Sequence, residues 1–318
     1  MKRNVHIIVN KSEITAGTRG ASLGPEAVMA AARKVNSTFF GEFPIEYVED
    51  VNHLLDQEEV KYPFAKRIDG LKKVFLNVFR AVNNAFNRGA FPLVLASDHG
   101  SAAGTLAGIK ATYPDARLGV VWIDAHADVH TPYTTPSGNM HGMPLAMALG
   151  EDNKECQRNE IEPHETELWD DLKNMGTAGA KLNAEDLVFI AVRDTEKEED
   201  ALITRLNIRN HTVEAIRREG KEVILKRVLE QLKDCDMIYV SFDVDAMDPK
   251  ETSHGTGTPA DNGLSVSEAA FFLTELAKQE NVVCMEFVEV NPCLDEKINT
   301  MAEVTFELFK TTANILRG

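Results

Sequence analysis

A chain of 318 residues, 43% hydrophobic and 26% charged, has the balance of a water-soluble globular protein and is within reach of one large α/β domain spanning residues 1–318. A formal net charge of −16, with no basic patch standing out, argues against nucleic acid and anionic membrane surfaces as partners; it favours a cationic substrate, although solubility alone also accounts for an acidic surface. The four cysteines, Cys156, Cys235, Cys284 and Cys293, form no CxxC pair, which fits small core thiols in a reducing, cytoplasmic setting.

The N-terminal MKRNVHIIVNKSE turns polar too early for a signal peptide. No run approaches the roughly 20 apolar residues of a membrane span. Val5 to Val9 read as a first strand, and Pro25 opens a helix through Ala32, where its missing N–H costs nothing. Leu71, Val74, Phe75, Val78, Val82, Ala85 and Phe86 follow helical spacing up to Gly89, a C-cap residue. Strands are expected at Pro92–Ala96, Leu118–Ile123, Leu187–Val192, Met237–Phe242 and Val282–Val288. Helices are expected near Val223–Leu232, at Val266–Lys278 behind a capping box of Ser265 and Glu268, and at Met301–Leu316. Glu151 to Gly179 reads as a polar, irregular surface excursion. Apolar strands alternating with helices signal a parallel α/β sheet, and neither a repeat nor a linker interrupts it.

The chemistry sits where strands end. Asp124, His126 and Asp128 follow the apolar LGVVWI at alternate positions, so on extended chain they point the same way. The bland reading is a polar strand end that caps a helix. Asp243 and Asp245 repeat the pattern after Tyr239–Phe242, and two close carboxylates repel unless a cation lies between them. His99, in Ser97-Asp98-His99-Gly100, ends another strand; a lone histidine is more often a structural hydrogen-bonder. Glu286 and Glu289 lie near a fourth strand end, where either a solvated or a lysine-paired role would also serve. Open α/β sheets bind ligands at their carboxyl ends. Carboxylates and imidazoles without thiolate suit one or two borderline-hard divalent ions rather than structural zinc. Bridging carboxylates would hold two ions roughly 3.5–4 Å apart, with a water between them that loses a proton near neutral pH.

These motifs, SDHGSAAG, DAHAD and SFDVDAMDP, together with TRGASLGPEAV, GTGTP and EVNP, resemble the ureohydrolase family, closest to its arginase branch. The resemblance implies a three-layer α/β/α sandwich around a parallel eight-stranded sheet and two Mn2+ ions per subunit. One ion would take His99, Asp124, Asp128 and Asp243, the other Asp124, His126, Asp243 and Asp245. It implies hydrolysis of L-arginine to L-ornithine and urea by a metal-bridging hydroxide that Asp128 orients. The loop TTPSGNMHG resembles the one that holds the amino-acid end of the substrate. Ser137, Asn139 and Thr135 would meet the carboxylate, and Glu196 with Glu199 the α-amino group. His141, otherwise a loop hydrogen-bonder, would protonate the leaving amine, while Thr258 and Glu289 would lie near the guanidinium. His130 stands where arginases commonly carry asparagine for the carboxylate, Glu196 where an aspartate is usual, and Ala96-Ser97 where two glycines are usual. The open alternatives are the same chemistry on formimidoylglutamate, guanidinobutyrate or agmatine, and a non-catalytic regulatory homologue. The family implies a homotrimer or homohexamer.

Overall fold

The computed structural model describes residues 2–57 and 60–318. The elements in chain order begin with β1 (Val5–Asn10), α1 (Gly24–Lys34), β2 (Ile45–Val48), α2 (Ile68–Asn87), β3 (Phe91–Ala96), α3 (Ala102–Thr112) and β4 (Leu118–Ile123). There follow α4 (Pro144–Leu149), α5 (Pro163–Lys173), β5 (Leu187–Ile190), α6 (Lys197–Leu206), β6 (Arg209–His211), α7 (Val213–Glu219) and α8 (Lys221–Gln231). The last are β7 (Met237–Asp243), α9 (Val266–Ala277), β8 (Val282–Val288) and α10 (Thr300–Arg317).

All eight strands join one sheet in the order β2-β1-β3-β8-β7-β4-β5-β6, and every neighbouring pair is parallel. Helices cover both faces, so the inner strands are apolar throughout rather than alternating: every residue of FPLVLA and LGVVWI is buried. Alternate residues serve opposite cores. Ile7, Val9, Val121 and Ile123 pack with α1 and α7–α10, whereas Ile8, Val120 and Trp122 pack with α2–α6. The sandwich of helix, sheet and helix expected above is therefore present.

Several local expectations shift. Glu151–Gly179 is not irregular throughout: α5 lies within it, opened by Pro163, and drives Trp169 fully into the core, where Asp152 accepts its indole N–H at 2.9 Å. Helix α3 escaped periodicity because its sequence, AAGTLAGIKAT, is apolar or small on nearly all sides. It packs so closely on α2 that a Cβ at Gly104 would sit 2.9 Å from the Phe75 carbonyl oxygen. The expected strand to Val192 stops at Ile190 because Ala191 turns left-handed, φ 73°. The Ser265–Glu268 capping box is formed on both sides. Of the four thiols, all free, Cys235 and Cys284 are core residues, Cys156 is half-buried and Cys293 is exposed, so the core reading fails for the last.

Candidate metal centre

The expected ligands lie at the carboxyl ends of β3, β4 and β7, adjacent in the middle of the sheet apart from the intervening β8. The chain is not extended there, so alternation along a strand is not what brings them together. Asp124 to His126 bend immediately after β4, and Asp128 is left-handed, φ 53°. Asp245 sits in a single turn of 3-10 helix after β7. What the two motifs share is an Asx turn. Asp124 Oδ1 accepts the His126 N–H at 2.7 Å, and Asp243 Oδ1 accepts the Asp245 N–H at 2.8 Å. In each, one carboxylate oxygen fixes the turn and the other is free to face the site.

Those free oxygens converge. His99 Nδ1 lies 3.0 Å from Asp124 Oδ2, 3.2 Å from Asp128 Oδ2 and 3.2 Å from Asp243 Oδ2. His126 Nδ1 lies 3.1 Å from Asp245 Oδ2 and 3.5 Å from Asp124 Oδ1. His99, Asp124, Asp128, Asp243 and Asp245 are all buried. The ring of His99 is held from behind: Trp122 stacks on it at 3.9 Å with 4° between planes, and its Nε2 is 2.7 Å from Ser241 Oγ.

Electrostatics describe a cluster short of positive charge. Burial and the carboxylates of Asp245 and Asp124 push Asp243 well up, and burial with Asp124 pushes Asp128 up to about 6. Burial depresses His99, but the three carboxylates around it prevail and hold it well above its usual range. Yet His99 Nδ1 and Asp124 Oδ2 have no hydrogen-bond partner although both are buried. Two buried donor atoms without a hydrogen-bond partner, facing each other at 3.0 Å, fit a cation that would take the place of the imidazole proton. Donor atoms of His99, Asp124 and Asp128 lie within 4.8 Å of one another, as do those of Asp124, His126 and Asp245, with Asp124 in both groups. The donor set, carboxylate and imidazole without thiolate, suits hard to borderline divalent ions.

Above the cluster opens a pocket of about 450 Å³, lined among others by His126, Asp128, His130, Thr135, Ser137, Asn139, His141, Glu196, Glu199, Thr258 and Glu289. Every residue expected to touch substrate therefore borders one cavity. Thr258 Oγ donates to Asp245 Oδ2 at 3.1 Å. Glu289, left-handed at φ 70°, accepts the His99 N–H at 2.8 Å and lies 3.8 Å from His141 Nδ1. Burial and nearby Asp98 raise Glu289, and burial followed by the histidines lowers His141 to about 4.

His130 faces inward rather than standing free. Its Nε2 is 3.0 Å from Glu196 Oε2, and its Nδ1 is 3.1 Å from Thr134 Oγ. Glu196 and Glu199 form the capping box of α6, and Glu199 also accepts the Val129 N–H at 3.3 Å. His130 holds Glu196 down to about 2, while burial and Glu196 push Glu199 well up. This triad also has metal-like spacing, but each of its side chains already has protein partners.

Glu286 corrects another expectation. It is neither solvated nor paired with lysine: it lies inside β8, fully buried, and accepts hydroxyls from Ser101 at 2.5 Å and Tyr239 at 2.7 Å. Sequence reasoning missed Asp98, whose buried carboxylate accepts the Thr15 N–H at 3.0 Å, although it is the middle of the quoted SDHG. It also gave no role to Ser241, Trp122, or the pocket residues Gly17, Thr18 and Asp194. Thr18 opens the TRGASLGPEAV segment; Asp194, 3.6 Å from His126 Nε2, had no signal beyond its neighbours.

A model of the arginase family matches residues 3–312. The arginase of Brevibacillus brevis is 32% identical over 317 residues, covering 98% of each chain, and that of Staphylococcus aureus strain MRSA252 is 33% identical, covering 98% of this chain and 97% of its own. The crystal structure of arginase from Bacillus subtilis strain 168 superposes with a TM-score of 0.82 at 30% identity over 99% of both chains. With the strand-end carboxylates and imidazoles gathered under one pocket, this near-complete match places the chain in the arginase family, the ureohydrolases, as a hydrolase acting on linear amidines.

Proposed function

We propose that this protein is a manganese-dependent, cytoplasmic arginase, folded as one domain over residues 1–318, that hydrolyses L-arginine to L-ornithine and urea. The observation that carries the reading is the convergence of Asp124 and Asp243 on His99 beneath a pocket walled by Ser137, Asn139, His141 and Glu289. His99, Asp124, Asp128 and Asp243 would hold one cation, and Asp124, His126, Asp243 and Asp245 a second. Two divalent cations bound there would balance four carboxylates, polarise the guanidino carbon's substituents and lower the pKa of water toward neutrality.

The rest of the chemistry falls to the chain itself. Asp128, left-handed and bordering the pocket, accepts a hydrogen bond from the attacking water and steadies the tetrahedral intermediate. Glu289, fixed by the His99 N–H, pairs with the guanidinium through charge-assisted hydrogen bonds, with Thr258 beside it. As the water oxygen bonds to the guanidino carbon, His141, neutral because burial depresses it, takes the proton the water loses and returns it to the amine nitrogen as that nitrogen's bond to carbon breaks. At the outer end Ser137, Asn139 and Thr135 donate to the substrate carboxylate. Glu196, braced by His130 and Glu199, accepts from the α-ammonium. Departure of the amine yields ornithine and urea. The family relatives named arginase support this reading, and a trimer or hexamer is the assembly we expect.

A substrate panel on the manganese-loaded protein tests it: L-arginine, agmatine and guanidinobutyrate read by urea release, formimidoylglutamate by formamide release. Arginine should give the highest kcat/KM. A higher value for any other member would replace arginine as the substrate.

A further inference from the structure

We infer that Lys66 is a positioning residue that turns the Asn139 side chain into a pure donor and thereby makes the outer pocket select ligands carrying a carboxylate. The inference rests on the reading of Asn139 given above. It starts from an amide whose two ends are chemically distinct but similar in shape. The Lys66 ammonium lies 3.1 Å from Asn139 Oδ1. An ammonium only donates, so the end of the amide facing it must be oxygen. The NH2 end then points the other way, to where a Cβ on Gly17 would lie 2.9 Å from it. Gly17 and Asn139 both border the pocket. Without Lys66 the amide is free to flip and present an acceptor, which would repel a carboxylate.

The backbone around Lys66 is built to hold this contact. Its own N–H donates to the Gly138 carbonyl at 2.9 Å, so main chain and side chain grip consecutive residues of the loop. Gly138 is left-handed, φ 75°, and a Cβ there would lie 1.8 Å from the Pro63 carbonyl oxygen. The segment before α2 is thus pressed against the substrate loop. Lys66 is half-buried and, among the described residues, has no ion pair with a carboxylate. In a chain of net charge −16 that leaves its positive charge available to an anion behind Asn139.

The test uses two ligands that differ only by a carboxylate, L-ornithine and putrescine, titrated calorimetrically into the full-length manganese-loaded protein. Lys66→Met keeps the alkyl stem and removes the donor. It should weaken L-ornithine about ten-fold, the scale of a hydrogen bond to a charged group, and leave putrescine within about two-fold. Lys66→Arg should restore most of the difference. Equal loss for both ligands, or no loss for L-ornithine, overturns the inference. Failure of the wild type to release urea from arginine would overturn the proposed function instead, because the binding comparison needs no turnover.

Discussion

The inner and outer halves of the pocket are built on different principles. The inner half consists of side chains on strand ends, locked by Asx turns at Asp124 and Asp243 and by the stacked pair of His99 and Trp122. Apart from the half-buried His126 its groups are buried, and the left-handed Asp128 and Glu289 store strain of about 1–3 kcal/mol each that only a rigid surround sustains. The outer half consists of loops and a helix N-terminus, with Ser137 and Glu196 exposed. There the side chains hold one another: Lys66 on Asn139, His130 on Glu196, Thr135 Oγ under the Gly138 N–H at 3.0 Å. The difference teaches a division of labour. On the proposed reading, the inner half would fix the reaction and the outer half would decide which molecule undergoes it.

That division breaks most visibly from the inside. Asp128→Ala or Asp243→Ala should cut metal-dependent urea release by more than about a thousandfold for every guanidino substrate alike. Full activity in both variants would detach the cluster from catalysis. Trp122→Ala should cost about 3–5 kcal/mol in urea or guanidinium unfolding, as large buried aromatics do, and weaken manganese binding by about 10–100-fold by freeing His99. An unchanged metal affinity in that variant would show that the stack serves only packing. From the outside, Asn139→Ala should raise KM for arginine roughly ten-fold and change agmatine, which has no carboxylate, far less. A matching rise for agmatine would erase the distinction between the halves. The smallest expected effect is a control outside both. Ser265→Ala, which removes the hydroxyl that accepts the Glu268 N–H at 3.1 Å, should cost about 1 kcal/mol of stability and leave urea release per folded molecule unchanged.

The two halves also differ in how far the sequence discloses them. The inner cluster of donor residues was legible because DAHAD and SFDVD are dense in donors directly after apolar strands, yet the geometric reason for their convergence differs from the one sequence supplies. Alternation on extended chain predicts a shared face; the structure makes the same convergence with turns and a left-handed Asp128. Glu286 was misread because a buried carboxylate inside a strand is indistinguishable from an exposed one until Ser101 and Tyr239 are seen to reach it. The outer half was legible only as loop residues, since His130–Glu196 and Lys66–Asn139 join positions 66 and 73 apart in the chain. In the fold, the inner strands were clear, but β2 is a four-residue edge and β6 a three-residue polar one, and α3 lacks a polar face to set its period. Helix α5 hid within charged residues, betrayed only by Pro163 and Trp169.

The central claim is that the strand-end cluster holds divalent metal and that the pocket above it acts on arginine. Urea release from L-arginine by the metal-stripped protein, measured before and after adding manganese, tests both at once. The account predicts negligible release without metal, recovery on adding manganese, and two ions bound per chain when activity saturates. Equal release in both states, or none in the loaded protein with an empty cluster, would contradict it.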